Sequence, residues 1–124
     1  MSIKVLVVED NQDYRELLSY YLLTHGFEVL IAVNGREAVV CAETDNPHII
    51  LMDLNLPVLD GWEATRIISG NRTTAHIPIL AISANCEEIN PEKNVIKAGA
   101  VGCLQKPIDI TALPDLILSY AAAH

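Results

Sequence analysis

Short apolar runs alternate along the chain with longer segments in which apolar residues recur every three or four positions. The short runs are rich in β-branched residues, which is typical of strands that are buried on both faces of a parallel sheet. They predict strands over residues 3–8, 27–32, 49–52, 77–82 and 101–104. Because each run is followed by a helical pattern, the sequence predicts a (βα)5 chain.

The longer segments carry signals for the starts and ends of helices. Gly26 predicts a left-handed end for a first helix over residues 13–25, and Asn34 begins a second helix that Asn46 and the following proline end. We predict further helices over 61–69, 90–99 and 109–121, the last with Pro114 in its first turn. The first helix has an apolar stripe at helical spacing, which consists of Tyr14, Leu17, Leu18, Tyr21 and Leu22.

Parallel strands joined by right-handed crossovers form an open sheet with helices on both faces. Ligands of such α/β sheets bind beyond the carboxyl ends of the strands. The length of 124 residues suits one domain over residues 1–124, without room for an output domain. Candidate chemistry is therefore sought where the strands end.

Composition excludes several classes of protein. The formal net charge of −8 disfavours direct binding to nucleic acid, and no apolar run approaches the ~20 residues that span a bilayer. No secretory leader pattern opens the sequence. The three cysteines, Cys41, Cys86 and Cys103, are odd in number and widely spaced, so we expect reduced thiols, no thiol metal site and a cytoplasmic location.

Acidic residues end two of the predicted strands. Glu9 and Asp10 follow the first strand, and Asp53 ends the third, while the glycine-rich phosphate loops of nucleotide-binding folds are absent at these points. If the first and third strands are neighbours, the three carboxylates converge. Two such charges 4 Å apart repel by about 4 kcal/mol at an effective dielectric constant near 20, which favours a bound divalent cation. Oxygen ligands select a hard ion, above all Mg²⁺.

The fourth and fifth strands end in a hydroxyl and an ammonium group. Ser83 alone would be read as a helix cap, and Lys106 alone as a solvated surface charge. Together with a carboxylate nucleophile and a divalent cation, however, they are the groups that phosphoryl transfer requires.

Four segments carry a resemblance to a known family. The segments VLVVEDN, IILMDLNLPVLDG, ILAISA and LQKP resemble the receiver domain of response regulators in two-component signalling, the CheY-like domain, and the resemblance covers essentially the whole chain. It implies a flavodoxin-like, doubly wound parallel sheet with strand order 2-1-3-4-5. It also implies a phosphorylation-operated switch without separate enzymatic activity.

The resemblance assigns a role to each of the three acidic residues at the predicted strand ends. Asp53 is expected to accept a phosphoryl group from the phosphohistidine of a histidine kinase or phosphotransfer protein. The expected cofactor is Mg²⁺, with Asp10, Asp53 and the main-chain carbonyl of Asn55 as ligands and Glu9 acting through water.

The same resemblance assigns the remaining site residues. Lys106 and Ser83 are expected to contact phosphoryl oxygens, with Ser83 moving inward when the group arrives. Pro57 and Gly61 are expected to shape the loop after Asp53. The bond between Lys106 and Pro107 is a candidate cis peptide.

The resemblance also implies two partner surfaces. The phosphodonor is expected to dock beside the first helix, with Arg15 and Ser19 as candidate contacts, and a downstream protein is expected on the face of the fourth helix, fifth strand and fifth helix. Cys103 occupies the position where the family usually has a switching aromatic residue. We interpret Cys103 as a small buried strand residue without a redox role, so the signal is expected to travel through Ser83 and residues 84–90.

Two alternative functions remain open at this point. A Mg²⁺-dependent phosphohydrolase of the haloacid dehalogenase type would also form an aspartyl phosphate, but it places its nucleophile after the first strand with D-x-D spacing. The acids after the first strand here lack that spacing. A pseudo-receiver that binds partners without phosphorylation is the other alternative, although Asp10, Asp53, Ser83 and Lys106 are all present.

Overall fold

Five parallel strands form the centre of the fold in the computed structural model, which describes residues 2–86 and 95–123. The sheet has the order β2-β1-β3-β4-β5, and every neighbouring pair is parallel. This confirms the predicted flavodoxin-like fold class. The strands are β1 (Lys4–Val8), β2 (Glu28–Ala32), β3 (Ile49–Asp53), β4 (Ile79–Ser83) and β5 (Gly102–Gln105).

Helices connect the strands on both faces of the sheet. Gly26, with φ +88°, lies just beyond the first helix in the predicted left-handed conformation. The Asn34 side chain caps the second helix by accepting a hydrogen bond from the Glu37 N–H at 2.8 Å. The predicted start of the fourth helix at Asn90 lies outside the described residues. The helices are α1 (Gln12–Thr24), α2 (Gly35–Asp45), α3 (Gly61–Gly70), α4 (Val95–Ala98) and α5 (Leu113–Ala123).

The last helix begins later than the sequence pattern predicts. Residues Ile110–Ala112 form a 3-10 turn, which Asp109 caps by accepting hydrogen bonds from the N–H and hydroxyl of Thr111. The α-helix begins only at Leu113. Pro114 explains the shift, because a residue without an N–H is tolerated in the first turn of an α-helix but not in its interior.

The buried face of α1 also differs from the predicted stripe. Leu18 and Leu22 are buried as expected, whereas Leu17 is 54% exposed. Ser19 is 7% exposed, so it packs against the core and is not available as the predicted contact for a phosphodonor. Apolar periodicity located the helix correctly but misassigned its edges, because the identity of a side chain at the margin of a stripe does not determine which way the helix faces.

The core consists of two apolar layers, one on each face of the sheet. Alternating strand residues contribute to each layer, so Val5 and Val7 face α1 and α5, whereas Leu6 and Val8 face α2 and α3. All five residues of β3 are buried. Burial of each large aliphatic side chain contributes about 1.5–3 kcal/mol, and this packing fixes the strand ends that carry the candidate site.

No helix among the residues described here is long and apolar enough to cross a membrane.

Gly61 begins α3 against the backbone of the strand that carries the candidate phosphoacceptor. A Cβ atom on Gly61 would overlap the carbonyl oxygen of Asp53 and the Cα of Leu54, and neither is the movable end of a side chain. The prediction that Gly61 shapes this loop is therefore supported by a steric reason. Only glycine allows α3 to approach β3 this closely.

We expect Gly61→Ala to lower the free energy of unfolding by about 1–3 kcal/mol, the usual cost of forcing extra volume into a packed region. Gly70→Ala is the matched control, because a Cβ on Gly70, the last residue of α3, meets nothing within 4 Å. Alanine is the better helix former, so the control should be neutral or stabilised by up to about 1 kcal/mol. Urea unfolding measures both variants, and equal stabilities would contradict this account of Gly61.

Candidate functional site

Three carboxylates meet at the carboxyl edge of the sheet. Glu9 directly follows β1, Asp53 ends β3, and these strands are neighbours with Val8 opposite Met52. One oxygen from each of Glu9, Asp10 and Asp53 lies within 4.8 Å of the others. The predicted convergence is confirmed. An oxygen-only donor set of this charge fits a hard divalent cation such as Mg²⁺.

The three carboxylates differ in their exposure to solvent. Glu9 and Asp53 are 2% and 3% exposed, whereas Asp10 is exposed at the mouth of the site. Burial above all, together with hydrogen bonding and charge repulsion from Asp53, raises the pKa of Glu9 from 4.5 to about 7. Part of the acidic cluster is therefore protonated near neutral pH when no cation is bound.

Lys106 lies over these acids from the end of β5. Its Nζ is 3.1 Å from Asp53 Oδ2 and 3.4 Å from Glu9 Oε1, and it lies 5.4 Å from the ring centre of Tyr14. Partial burial lowers the pKa of Lys106, but hydrogen bonds and attraction to Asp53 and Glu9 outweigh burial and raise it above its usual value. Lys106 therefore remains an ammonium group and is the counter-ion of the two buried acids.

Backbone N–H groups orient the two buried acids. The N–H of Asn55 donates to Asp53 Oδ1 at 2.9 Å, and the N–H of Asn11 donates to Glu9 Oε2 at 3.2 Å. Arg15 Nη1 donates to the main-chain carbonyl of Glu9 at 3.0 Å. Arg15, predicted as a partner contact, therefore secures the loop between β1 and α1, a role that its position on the helix alone does not indicate.

The other predicted site residues surround this centre. Ser83 ends β4 at the same edge, and its Oγ accepts a hydrogen bond from the Asn85 N–H at 3.1 Å. The peptide bond between Lys106 and Pro107 is cis, as predicted. Beyond Asp53, the carbonyl of Pro57 accepts a hydrogen bond from the Leu59 N–H at 2.8 Å, which closes a tight turn in the loop leading to α3.

The cysteines contradict the expectation of reduced thiols. Cys86, in the loop after β4, forms a disulfide with Cys103 of β5, and both residues are partly exposed. The interpretation of Cys103 as a small buried residue without a redox role is therefore wrong. The pair went unpredicted because Cys86 lies outside any periodic element, so the strand pattern does not place it beside Cys103. Cys41 remains a free thiol.

A groove beside the carboxylates extends along α1. It is open to solvent, and exposed Leu17 and half-buried Tyr14 form its apolar wall. Sequence reasoning missed this surface because it assigned both side chains to the core. The residues that line the groove are Glu9, Asn11, Asp13, Tyr14, Leu17, Lys106 and Pro107.

Solved structures with the same fold include proteins with receiver functions. The receiver domain of a sensor histidine kinase from Pseudomonas aeruginosa is 32% identical, with a TM-score of 0.89 over 98% of this chain and 99% of that one. That structure has a magnesium ion coordinated in its active site cleft. The chemotaxis response regulator CheY4 of Vibrio cholerae is 31% identical, with a TM-score of 0.84 over 97% of this chain and 99% of that one.

Sequence relatives agree with the structural ones. The polar-differentiation response regulator DivK of Brucella ovis is 30% identical over 120 residues, which is 97% of each chain. A protein-glutamate methylesterase/protein-glutamine glutaminase of Paramagnetospirillum magneticum is 37% identical over 113 residues, but the match spans only 31% of that protein. The sequence profile of the response regulator receiver domain matches residues 5–118. The chain therefore belongs to the response regulator receiver domain family.

Proposed function

We propose that this receiver domain is a phosphorylation switch in which Asp53 takes a phosphoryl group from a phosphohistidine with the help of Mg²⁺. The observation that carries the proposal is the buried Asp53 carboxylate, which lies within 4.8 Å of two further acids and 3.1 Å from Lys106. A nucleophile, a cation site and an ammonium group around one point are the requirements of phosphoryl transfer.

Each group has a defined part in the transfer. An oxygen of Asp53 attacks phosphorus in line, the bond from phosphorus to the donor imidazole breaks, and the imidazole nitrogen takes up a proton. The Asn55 N–H holds Oδ1, while Lys106 is free to shift from Asp53 Oδ2 to a phosphoryl oxygen. Asp10, Asp53 and the Asn55 carbonyl, with Glu9 acting through water, would hold Mg²⁺, which would supply positive charge close to the phosphoryl oxygens.

Ser83 is the proposed link between the phosphoryl group and the protein surface. The Ser83 hydroxyl accepts a hydrogen bond from the Asn85 N–H in the structure. Its own proton can be donated to a charged oxygen of a phosphoryl group on Asp53. An inward movement of Ser83 would draw the loop after β4 with it. We infer that the downstream protein binds the adjacent face formed by α4, β5 and α5.

The groove along α1 supports docking of the phosphodonor beside the site. Leu17, Tyr20 and Leu23 of α1 are 54%, 72% and 56% exposed, an apolar surface that a helical partner would cover. Leu17 also lines the groove that leads to Lys106. A donor histidine that reaches Asp53 through this groove would place its helix against these residues.

Intact-mass measurement after incubation with acetyl phosphate and Mg²⁺ tests the proposal. We expect one phosphoryl group per chain, lost in excess chelator and in Asp10→Ala, because the acids repel the anionic donor without the cation. An unlabelled wild-type chain would refute the switch and favour the pseudo-receiver. Rapid multiple turnover of an aryl phosphate would favour the phosphohydrolase, which the position of Asp53 at the end of β3 disfavours.

A further inference from the structure

We propose that Cys86 and Cys103 are a reversible redox modification site, which a small-molecule disulfide such as oxidised glutathione closes and a small-molecule thiol opens. The two residues are joined by a disulfide, and their Cα atoms lie 5.9 Å apart, within the range that a disulfide spans without backbone movement. The site connects the loop after β4 to β5. We further infer that closing it restrains the phosphorylation response, and this second step rests on the proposed function.

The loop is held against β5 independently of the disulfide. The N–H of Cys86 donates to Gln105 Oε1 at 2.9 Å, and Gln105 Nε2 donates to the carbonyl of Ala84. These two hydrogen bonds fix the backbone on both sides of Asn85 to the strand that carries Cys103. These hydrogen bonds keep the two sulfur atoms close after reduction. Re-formation of the disulfide is therefore an intramolecular reaction at high effective concentration.

Closure is a two-electron exchange. One cysteine thiolate attacks glutathione disulfide, so a mixed disulfide forms and one glutathione thiolate leaves. The second cysteine thiolate attacks the protein sulfur of the mixed disulfide and expels the second glutathione. Two protein thiols are oxidised, one disulfide is reduced to two glutathione molecules, and these take up the two protons that the protein releases. Both cysteines are partly exposed, so a small thiol or disulfide has access to them.

The third cysteine is a built-in control. Cys41 lies in α2, and its Sγ donates to Asp45 Oδ2 at 3.3 Å. Burial above all, together with the hydrogen bond to Asp45 and its charge, raises the pKa of the Cys41 thiol to about 12, so it remains a protonated thiol at neutral pH. Of the three cysteines, only Cys86 and Cys103 are both partly exposed to solvent and close enough to another cysteine to form a disulfide.

The position of the disulfide gives it influence over Ser83. Cys86 is three residues beyond Ser83, and Cys103 pairs with Ala81, two residues before Ser83 on β4. The disulfide therefore closes a ring that runs from Ala81 through Ser83 to Cys86 and back through Cys103. An inward shift of Ser83 requires its loop to move relative to β5, and the covalent connection restrains that movement.

Thiol counting tests the redox site on the complete chain. The protein is incubated in oxidised or reduced glutathione, denatured in alkylating reagent and weighed by mass spectrometry. We expect one alkylated cysteine after oxidation and three after reduction, interconverting over repeated cycles, in wild type. In Cys41→Ser both counts should fall by one, to none after oxidation and two after reduction. In Cys86→Ser and Cys103→Ser no disulfide within the chain should form or open. Three alkylated cysteines in excess oxidised glutathione, or a disulfide that excess reduced glutathione leaves closed in the native chain, would overturn the site.

Beryllofluoride, a stand-in for the phosphoryl group, tests the coupling to the switch. We expect reduction to strengthen beryllofluoride binding by about fivefold or more, the low end of typical coupling between sites, as followed by amide resonances in a titration. Cys103→Ser should bind like the reduced wild type under both conditions. Equal affinities of the oxidised and reduced wild type would overturn the coupling. Absence of beryllofluoride binding in both forms would overturn the proposed function, which thiol counting does not test.

Discussion

Asp53→Asn should reduce phosphoryl transfer from acetyl phosphate by at least about a thousandfold, because it removes the nucleophile. The amide has the shape of the carboxylate, and its oxygen still accepts the Asn55 N–H that Asp53 Oδ1 accepts at 2.9 Å. The geometry of the site is therefore preserved while the attacking oxygen is lost. Intact mass after incubation with Mg²⁺ and acetyl phosphate measures the effect.

Asp60→Asn is the matched control for this substitution. Asp60 lies in the same loop after β3, where its side chain caps α3 by accepting the Glu63 N–H at 2.9 Å. Asparagine caps helices as well as aspartate does, so the control should fold and accept one phosphoryl group like the wild type. An Asp53→Asn chain that is labelled to the same extent would show that another residue is the phosphoacceptor.

The sheet and the acidic centre could be predicted because both follow from local patterns. A strand that is buried on two faces must be apolar along its length, so the five apolar runs identify the five strands. Because the strands are parallel, the residues that follow them lie at one edge of the sheet. Glu9, Asp10 and Asp53 then need only the neighbouring positions of β1 and β3 to converge, and the structure gives them those positions. Glu9 and Asp53 are informative because carboxylates are almost never fully buried unless they are paired.

Features that depend on tertiary contacts escaped prediction. The disulfide depends on how the loop after β4 folds back over β5, which Gln105 determines by bonding to Ala84 and Cys86. Ser19 is buried although it is polar, because the packing of α1 and not the side chain alone sets its exposure. Neither feature has a repeating signal in the sequence.

Glu9 should make the stability of the metal-free chain fall as the pH rises. Its pKa is about 7 in the folded chain, compared with 4.5 as the ordinary value, so between these values the folded chain binds more protons than the unfolded chain. The stabilisation that comes from protonated Glu9 is fully present below pH 4.5 and is lost as the pH rises through 7. A shift of this size corresponds to about 3 kcal/mol in total.

The effect is isolated as the difference between the wild type and Glu9→Gln over a window from about pH 5.5 to 8, which lies above the ordinary titration of other carboxyl groups. Lys106 does not interfere, because its pKa is raised above 10.5 and it stays charged throughout. Urea unfolding in chelator should give a free energy of unfolding that decreases by about 2 kcal/mol across the window. Glu9→Gln should flatten this dependence, while Glu16→Gln, at an exposed position of α1, should retain it.

Mg²⁺ should counteract this pH dependence, because a cation near the acids competes with the proton on Glu9. The stabilisation produced by a saturating concentration of Mg²⁺ should therefore be larger at pH 8 than at pH 6 in the wild type. In Glu9→Gln the two values should be nearly equal, since no proton is displaced from residue 9. A wild-type chain whose metal-free stability rises from pH 5.5 to 8 would contradict this assignment, because it would require the unfolded chain to hold the extra proton.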